Sequence, residues 1–106
     1  MIDEKSILEL RDRIASEFQP QRIIMFGSHA YGIPAENSDL DLLIIMRHVG
    51  SGLRKAVEIL NRVRPRIPVD LVVRTPEEIQ ERIQANDFFL TEILHHGRVL
   101  YEAPDR

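Results

Sequence analysis

The sequence predicts a small α/β fold of the α+β kind, a mixed sheet of three or four strands with helices packed against it. Three observations lead there. Apolar runs of strand length occur at residues 23–26, 42–46 and 69–73, each bounded by turn or polar residues. A helical stripe at residues 53–63 separates the second run from the third, so those two strands read as a parallel pair with a right-handed crossover. The first two runs are joined by a tight turn and a short polar loop, which places them antiparallel if Ser28 and Asp39 are to serve one site.

Taken in order, residues 3–18 form a helix with Ile7, Leu8, Leu10, Ile14, Ala15 and Phe18 near one stripe and Asp3 as cap. Gln19-Pro20 ends it, because proline disfavours helix in the residue before it. Ile23 to Phe26 is a buried strand that stops at Gly27-Ser28; Ser28 is expected to cap a short helical turn that Gly32 closes. Residues 33–38 are loop by composition. The second strand covers residues 39–46, and a connection with two glycines follows at 47–52. The next helix, 53–63, is expected to bury Leu53, Ala56, Val57, Leu60 and Val63. Pro65 and Pro68 bracket the approach to the third strand. Thr75-Pro76-Glu77-Glu78 is a helix start with a threonine cap, proline first and glutamate third. That helix breaks near residues 85–87; a second segment, 88–96, ends at Gly97, and 98–102 is a short last strand.

The 106 residues give room for one domain, 1–106, with one core. Apolar residues at 43% and charged residues at 29% are those of a soluble globular protein. The absence of cysteine excludes disulfides and thiolate metal sites and fits a cytoplasmic location. The first residues lack the features of a signal peptide, and the longest apolar run, 42–46, is far short of the ~20 residues that span a bilayer. A net charge of −3 argues against general binding of nucleic-acid backbones.

The residues that carry chemistry are Gly27, Ser28, Ser38, Asp39, Asp41 and Asp70. Unpaired N–H groups at the start of a helical turn suit a phosphate. Asp39 and Asp41 are two apart on a strand and share a face. Alone, Gly27-Ser28 reads as a plain turn and Asp39 as a solvated strand end. Asp41 stands between Leu40 and an apolar run, and Asp70 between Val69 and Leu71. A charge on an edge strand can serve to block aggregation. Three carboxylates on adjacent strands without a cation before Arg74 point instead to Mg²⁺, which binds carboxylates together with substrate phosphates. His29 reads as a turn histidine, and His95 and His96 as helix-end residues, since neighbours on a helix diverge by ~100°. Phe88, Phe89, Leu90, Ile93 and Leu94 read mostly as core, with an excess that suits a partner surface. Arg47, Arg54, Lys55, Arg62, Arg64 and Arg66 read as a solvated face that could also steer a triphosphate.

Gly27-Ser28, ten intervening residues, then Asp39-x-Asp41 on an apolar strand resembles the signature of polymerase-beta-like nucleotidyltransferases, above all the minimal nucleotidyltransferase group. The resemblance covers residues 22–74 well and the ends in outline. It implies that fold, with Asp39, Asp41 and Asp70 holding two Mg²⁺ ions and Gly27, Ser28 and Ser38 holding the phosphates of ATP. It also implies a HEPN-domain partner, an antitoxin role, and transfer of AMP to a hydroxyl of that partner. The chain departs from many relatives at Tyr31, where they carry arginine. A non-catalytic antitoxin, an enzyme acting on RNA 3′ ends or small molecules, and a homo-oligomer stay open alongside.

Overall fold

In the computed structural model, which describes residues 2–32, 34 and 38–104, a four-stranded mixed sheet lies between two helical layers. The elements run α1 (Glu4–Phe18), β1 (Arg22–Phe26), α2 (Ser28–Tyr31), β2 (Leu40–Ile45), α3 (Gly52–Val63), β3 (Val69–Arg74), α4 (Pro76–Gln84), α5 (Phe88–His96) and β4 (Arg98–Glu102). The strand order is β3-β2-β1-β4. As the crossover argument requires, β2 and β3 are parallel; β1 is antiparallel to β2 and to β4.

Strand parity sorts the core into two layers. Ile23, Met25, Leu40, Leu42 and Ile44 pack under Ile7, Leu10 and Ile14 of α1 and Ala56, Ile59 and Val63 of α3. Ile24, Phe26, Leu43 and Ile45 point the other way, onto Leu90 and Ile93 of α5 and Ile79 of α4. Because both faces are covered, β1 and β2 read as unbroken apolar runs rather than alternating ones. Among the described residues, no helix is long and apolar enough to cross a membrane.

Local signals place the helix ends. The Asp3 side chain accepts from the Ser6 N–H at 2.8 Å, and Gln19 closes α1 in the left-handed conformation. Thr75 and Glu78 form a reciprocal capping box at the start of α4. Asp87 caps α5 by accepting from the Leu90 N–H at 3.1 Å.

Four expectations are corrected. Ser28 is the first helical residue and makes no capping bond; the cap position is Gly27, at φ 75° and ψ −159°, a conformation open essentially to glycine alone. The buried stripe of α3 is Ala56, Ile59 and Val63, while Leu53 and Val57 are exposed. The helix is turned that way because Gly52 lies against β3, where an added Cβ would stand 2.2 Å from the Val73 carbonyl oxygen. Phe88 and Phe89, expected mostly in the core, are exposed by 82% and 51%, since Leu90 and Ile93 fill the contact of α5 with the sheet. Strand β2 begins at Leu40, not at Asp39. Of the loop expected at 33–38, residues 33 and 35–37 lie outside the described residues.

Candidate active site

The site is built where β1 ends and β2 begins. Antiparallel register sets Phe26 opposite Asp41, so the residue after Phe26 lies beside the Asp41 side chain. Gly27 leaves the space that this carboxylate fills: a Cβ built on Gly27 would lie 2.3 Å from Asp41 Oδ2 and 3.2 Å from Cγ. The two demands on position 27, a positive φ and no side chain, coincide. Immediately beyond, the N–H groups of Ser28 and His29 open α2, and the first residues of a helix have no acceptor within it. Ser28 is exposed, and Gly32 closes the turn through its N–H to the Ser28 carbonyl at 3.3 Å.

Asp70 joins from β3, where parallel register pairs it with Asp41. By parity Asp41, Asp70, Leu43 and Val72 share the sheet face that α5 covers further along, so both carboxylates stand at the open end of a buried layer. Asp39 immediately precedes β2, and the ladder reaches back to it through the Leu40 N–H to the Pro68 carbonyl at 2.9 Å. Asp41 is half-buried, whereas Asp39 and Asp70 are exposed. Burial raises the pKa of the Asp41 carboxyl, the negative charges of Asp70 and then Asp39 raise it further, and His29 opposes them.

Among the described residues, no lysine or arginine forms an ion pair with Asp39, Asp41 or Asp70. Nor do three His, Cys, Asp or Glu side chains among those residues already form a group able to hold a metal ion. The donors themselves, hard carboxylate oxygens beside a turn of free N–H groups, match what Mg²⁺ with a phosphate substrate demands.

The remaining candidates fall elsewhere. Ser38 directs its backbone carbonyl to His29 Nε2 at 3.1 Å, a contact with no sequence signal because it involves no particular side chain on Ser38. Tyr31 is 48% exposed and borders an open cavity of about 490 Å³ with Ala30, Glu92 and His96. Its phenol pKa is raised by burial and by Glu92; a phenol carries no positive charge in either protonation state, so position 31 supplies no cation. His95 and His96 are exposed, with His96 Nε2 4.0 Å from Glu92. In the basic cluster Arg47 meets Glu77 at 3.7 Å, Lys55 meets Glu58 at 3.2 Å and Arg62 meets Glu17 at 3.1 Å. Helix α3, which carries much of that cluster, packs on the sheet face opposite Asp41.

A strand–turn–strand that sets a glycine turn against carboxylates on a mixed sheet defines a phosphoryl-transfer class of protein, and the comparisons agree. The family described as Nucleotidyltransferase domain matches residues 7–99. A protein of Methanocaldococcus jannaschii named "Putative protein adenylyltransferase" is 30% identical over 106 residues, 95% of this chain and 100% of the relative. The fold matches a crystal structure of a mutant toxin–antitoxin complex, MntA–HpeT, with a TM-score of 0.53 and 20% identity, over 96% of this chain and 75% of that one. The chain belongs to the nucleotidyltransferase domain family and is a nucleotidyltransferase.

Proposed function

We propose that this chain moves AMP from ATP to a hydroxyl of a partner protein, with Mg²⁺, and that the partner is a HEPN-domain toxin which it neutralises. The observation that carries the reading is the Asp41 carboxylate packed on Gly27, at the opening of the Ser28 turn, with Asp70 in register beside it. Nucleotide phosphates and an electrophilic phosphorus can then be held next to acids that form no ion pair with a lysine or arginine among the described residues. The name of the archaeal relative supports protein as the acceptor, and the toxin–antitoxin complex supports a toxin as that protein.

In this reading Asp39, Asp41 and Asp70 hold the metal, two ions in all. Bound there, Mg²⁺ supplies neutralisation of phosphate charge and Lewis-acid polarisation. Gly27 keeps the turn close to Asp41, while the N–H groups of Ser28 and His29, the Ser28 hydroxyl and Ser38 bind the phosphates. In the transfer, the acceptor oxygen forms a bond to the α phosphorus, the bond to the bridging oxygen breaks, pyrophosphate leaves, and the hydroxyl proton passes to solvent or a nearby base. Residues 1–106 act as one catalytic domain, and a separate protein brings the acceptor.

The test is the mass of the protein encoded beside this chain, co-expressed and incubated with MgATP. It should rise in AMP-sized steps with the wild type and stay constant with Asp39→Ala plus Asp41→Ala. The exposure of Phe88 and Phe89 favours one further reading, an antitoxin acting by contact. A partner that is bound and inhibited yet never gains mass would establish that alternative and exclude the transfer.

A further inference from the structure

The His29 ring, which has no part in phosphate binding, is the one side chain, among the described residues, that hydrogen-bonds α2 to the segment entering β2. Its Nε2 lies 3.1 Å from the Ser38 carbonyl oxygen, and the contact is partly buried. A carbonyl only accepts, so Nε2 carries the proton in this bond. Ser38 directly precedes Asp39, and His29 directly follows Ser28. The bond therefore spans the gap between the phosphate turn and the first acid. Packing seats the turn through Ala30 against the core and Gly27 against Asp41, but Ser28 and Asp39 themselves are both exposed, and α2 is a single turn of four residues.

We propose that the His29 side chain is a positioning group that fixes the distance between the Ser28 turn and Asp39, its ring acting through the Ser38 carbonyl and touching no substrate. The inference rests on the assignment of that turn to phosphate and of Asp39 to metal. Its consequence is a split between binding and turnover. Phosphate contacts at Ser28 survive loss of the ring, so KM for MgATP changes little. The reacting phosphorus, held at Ser28, then loses its fixed place relative to the acids, and misplacement of that kind costs about ten- to a hundred-fold in rate.

Side-chain geometry supplies the test. Glutamine places an amide nitrogen the same number of bonds from Cα as His Nε2, while asparagine falls one bond short. His29→Gln keeps the donor without the ring, and His29→Asn and His29→Ala lose it. Amide hydrogen exchange at Leu40, whose N–H donates to Pro68 at the start of β2, reads the tether in EDTA without nucleotide. Loss of the bond should speed that exchange about five-fold in the Ala and Asn variants, with Gln near the wild type. Pyrophosphate release from MgATP, measured on the complex with the co-expressed partner, should lose kcat in the same two variants and recover it in His29→Gln. Uniform Leu40 exchange in all four proteins overturns the proposal, and so does a Gln variant as slow in turnover as Ala. A wild type that releases no pyrophosphate sinks the transferase reading instead, and the exchange series then decides on the tether alone.

Discussion

Replacing Gly27 with alanine puts a methyl group where the Asp41 carboxylate stands, and the cost can be divided into two parts. The backbone at φ 75° and ψ −159° lies in a region kept almost entirely for glycine, which costs a side-chain-bearing residue ~1–3 kcal/mol. Steric overlap adds to this, with the new Cβ 2.3 Å from Asp41 Oδ2 and overpacking typically worth ~1–3 kcal/mol. Together they predict a loss of about 4 kcal/mol, a large share of the ~5–15 kcal/mol that holds a domain folded. The parts can be separated because the three nearest atoms all belong to Asp41. In an Asp41→Ala background the closest of them left is Cβ at 3.5 Å, an ordinary contact. There Gly27→Ala should cost only the backbone part, ~2 kcal/mol, for a coupling of ~1–3 kcal/mol between the two positions. Urea unfolding of the four proteins in EDTA measures it, with slopes checked for constancy. Additivity within ~0.5 kcal/mol would mean that Asp41 rotates away freely, and the packing of carboxylate on glycine would explain nothing.

Asp41 also sets a pH dependence. Its carboxyl is raised in the folded chain, so the native state binds a proton more readily than the unfolded one, and metal-free stability falls as pH rises from the unfolded value through the folded one. Asp41→Asn should therefore melt above the wild type at pH 7 in EDTA, with the gap closing as pH drops below the ordinary 3.8; a gap that widens on acidification would refute the assignment. Asp70 is exposed on β3, an edge strand, so Asp70→Asn should leave the metal-free urea midpoint within ~0.5 kcal/mol of wild type. Turnover should nevertheless fall about 100-fold, whereas normal turnover with precipitation would make Asp70 a guard of the edge. Thr75→Ala removes the hydroxyl that accepts from the Glu78 N–H at 3.0 Å and keeps the backbone N–H that donates to the Glu78 carboxylate at 2.9 Å; it should cost ~1 kcal/mol, or about 5 °C in Tm. Unchanged melting would show that α4 is held by packing alone.

What the sequence reveals here depends on whether a local pattern has a competitor. The parallel pairing of β2 with β3 was legible because few topologies join two buried strands through one helix, and Asp41 opposite Asp70 follows from it by register. The capping box of Thr75 and Glu78 was legible because its partners are three residues apart. The buried face of α3 was legible only in part: Ala56 and Val63 are buried as expected, while Ile59 lay outside the expected stripe and Leu53 and Val57 inside it. Leu53, Val57 and Leu60 read as well as Ala56, Ile59 and Val63, and the choice falls to Gly52 against the Val73 carbonyl, a contact between distant segments. The same reason hid Phe88, which reads as core until Leu90 and Ile93 are seen to fill the sheet contact.

Gly27 shows the boundary inside the site itself. That a glycine ends β1 beside a phosphate turn could be read from the chain, but the turn pattern assigned the cap to Ser28, and no packing role was expected of position 27. The structure gives it two tasks at once, a positive φ and room for Asp41 Oδ2. The second depends on β2 lying antiparallel with Phe26 across from Asp41. A shift by one residue would turn Asp41 to the α1 and α3 side of the sheet and leave the turn facing an apolar side chain. Register, more than the identity of any single acid, is what brings a glycine turn and a carboxylate together. Packing on both sides of β2, by Leu42 and Ile44 on one face and Leu43 and Ile45 on the other, holds that register, so the core stabilises the site's geometry as directly as it stabilises the fold.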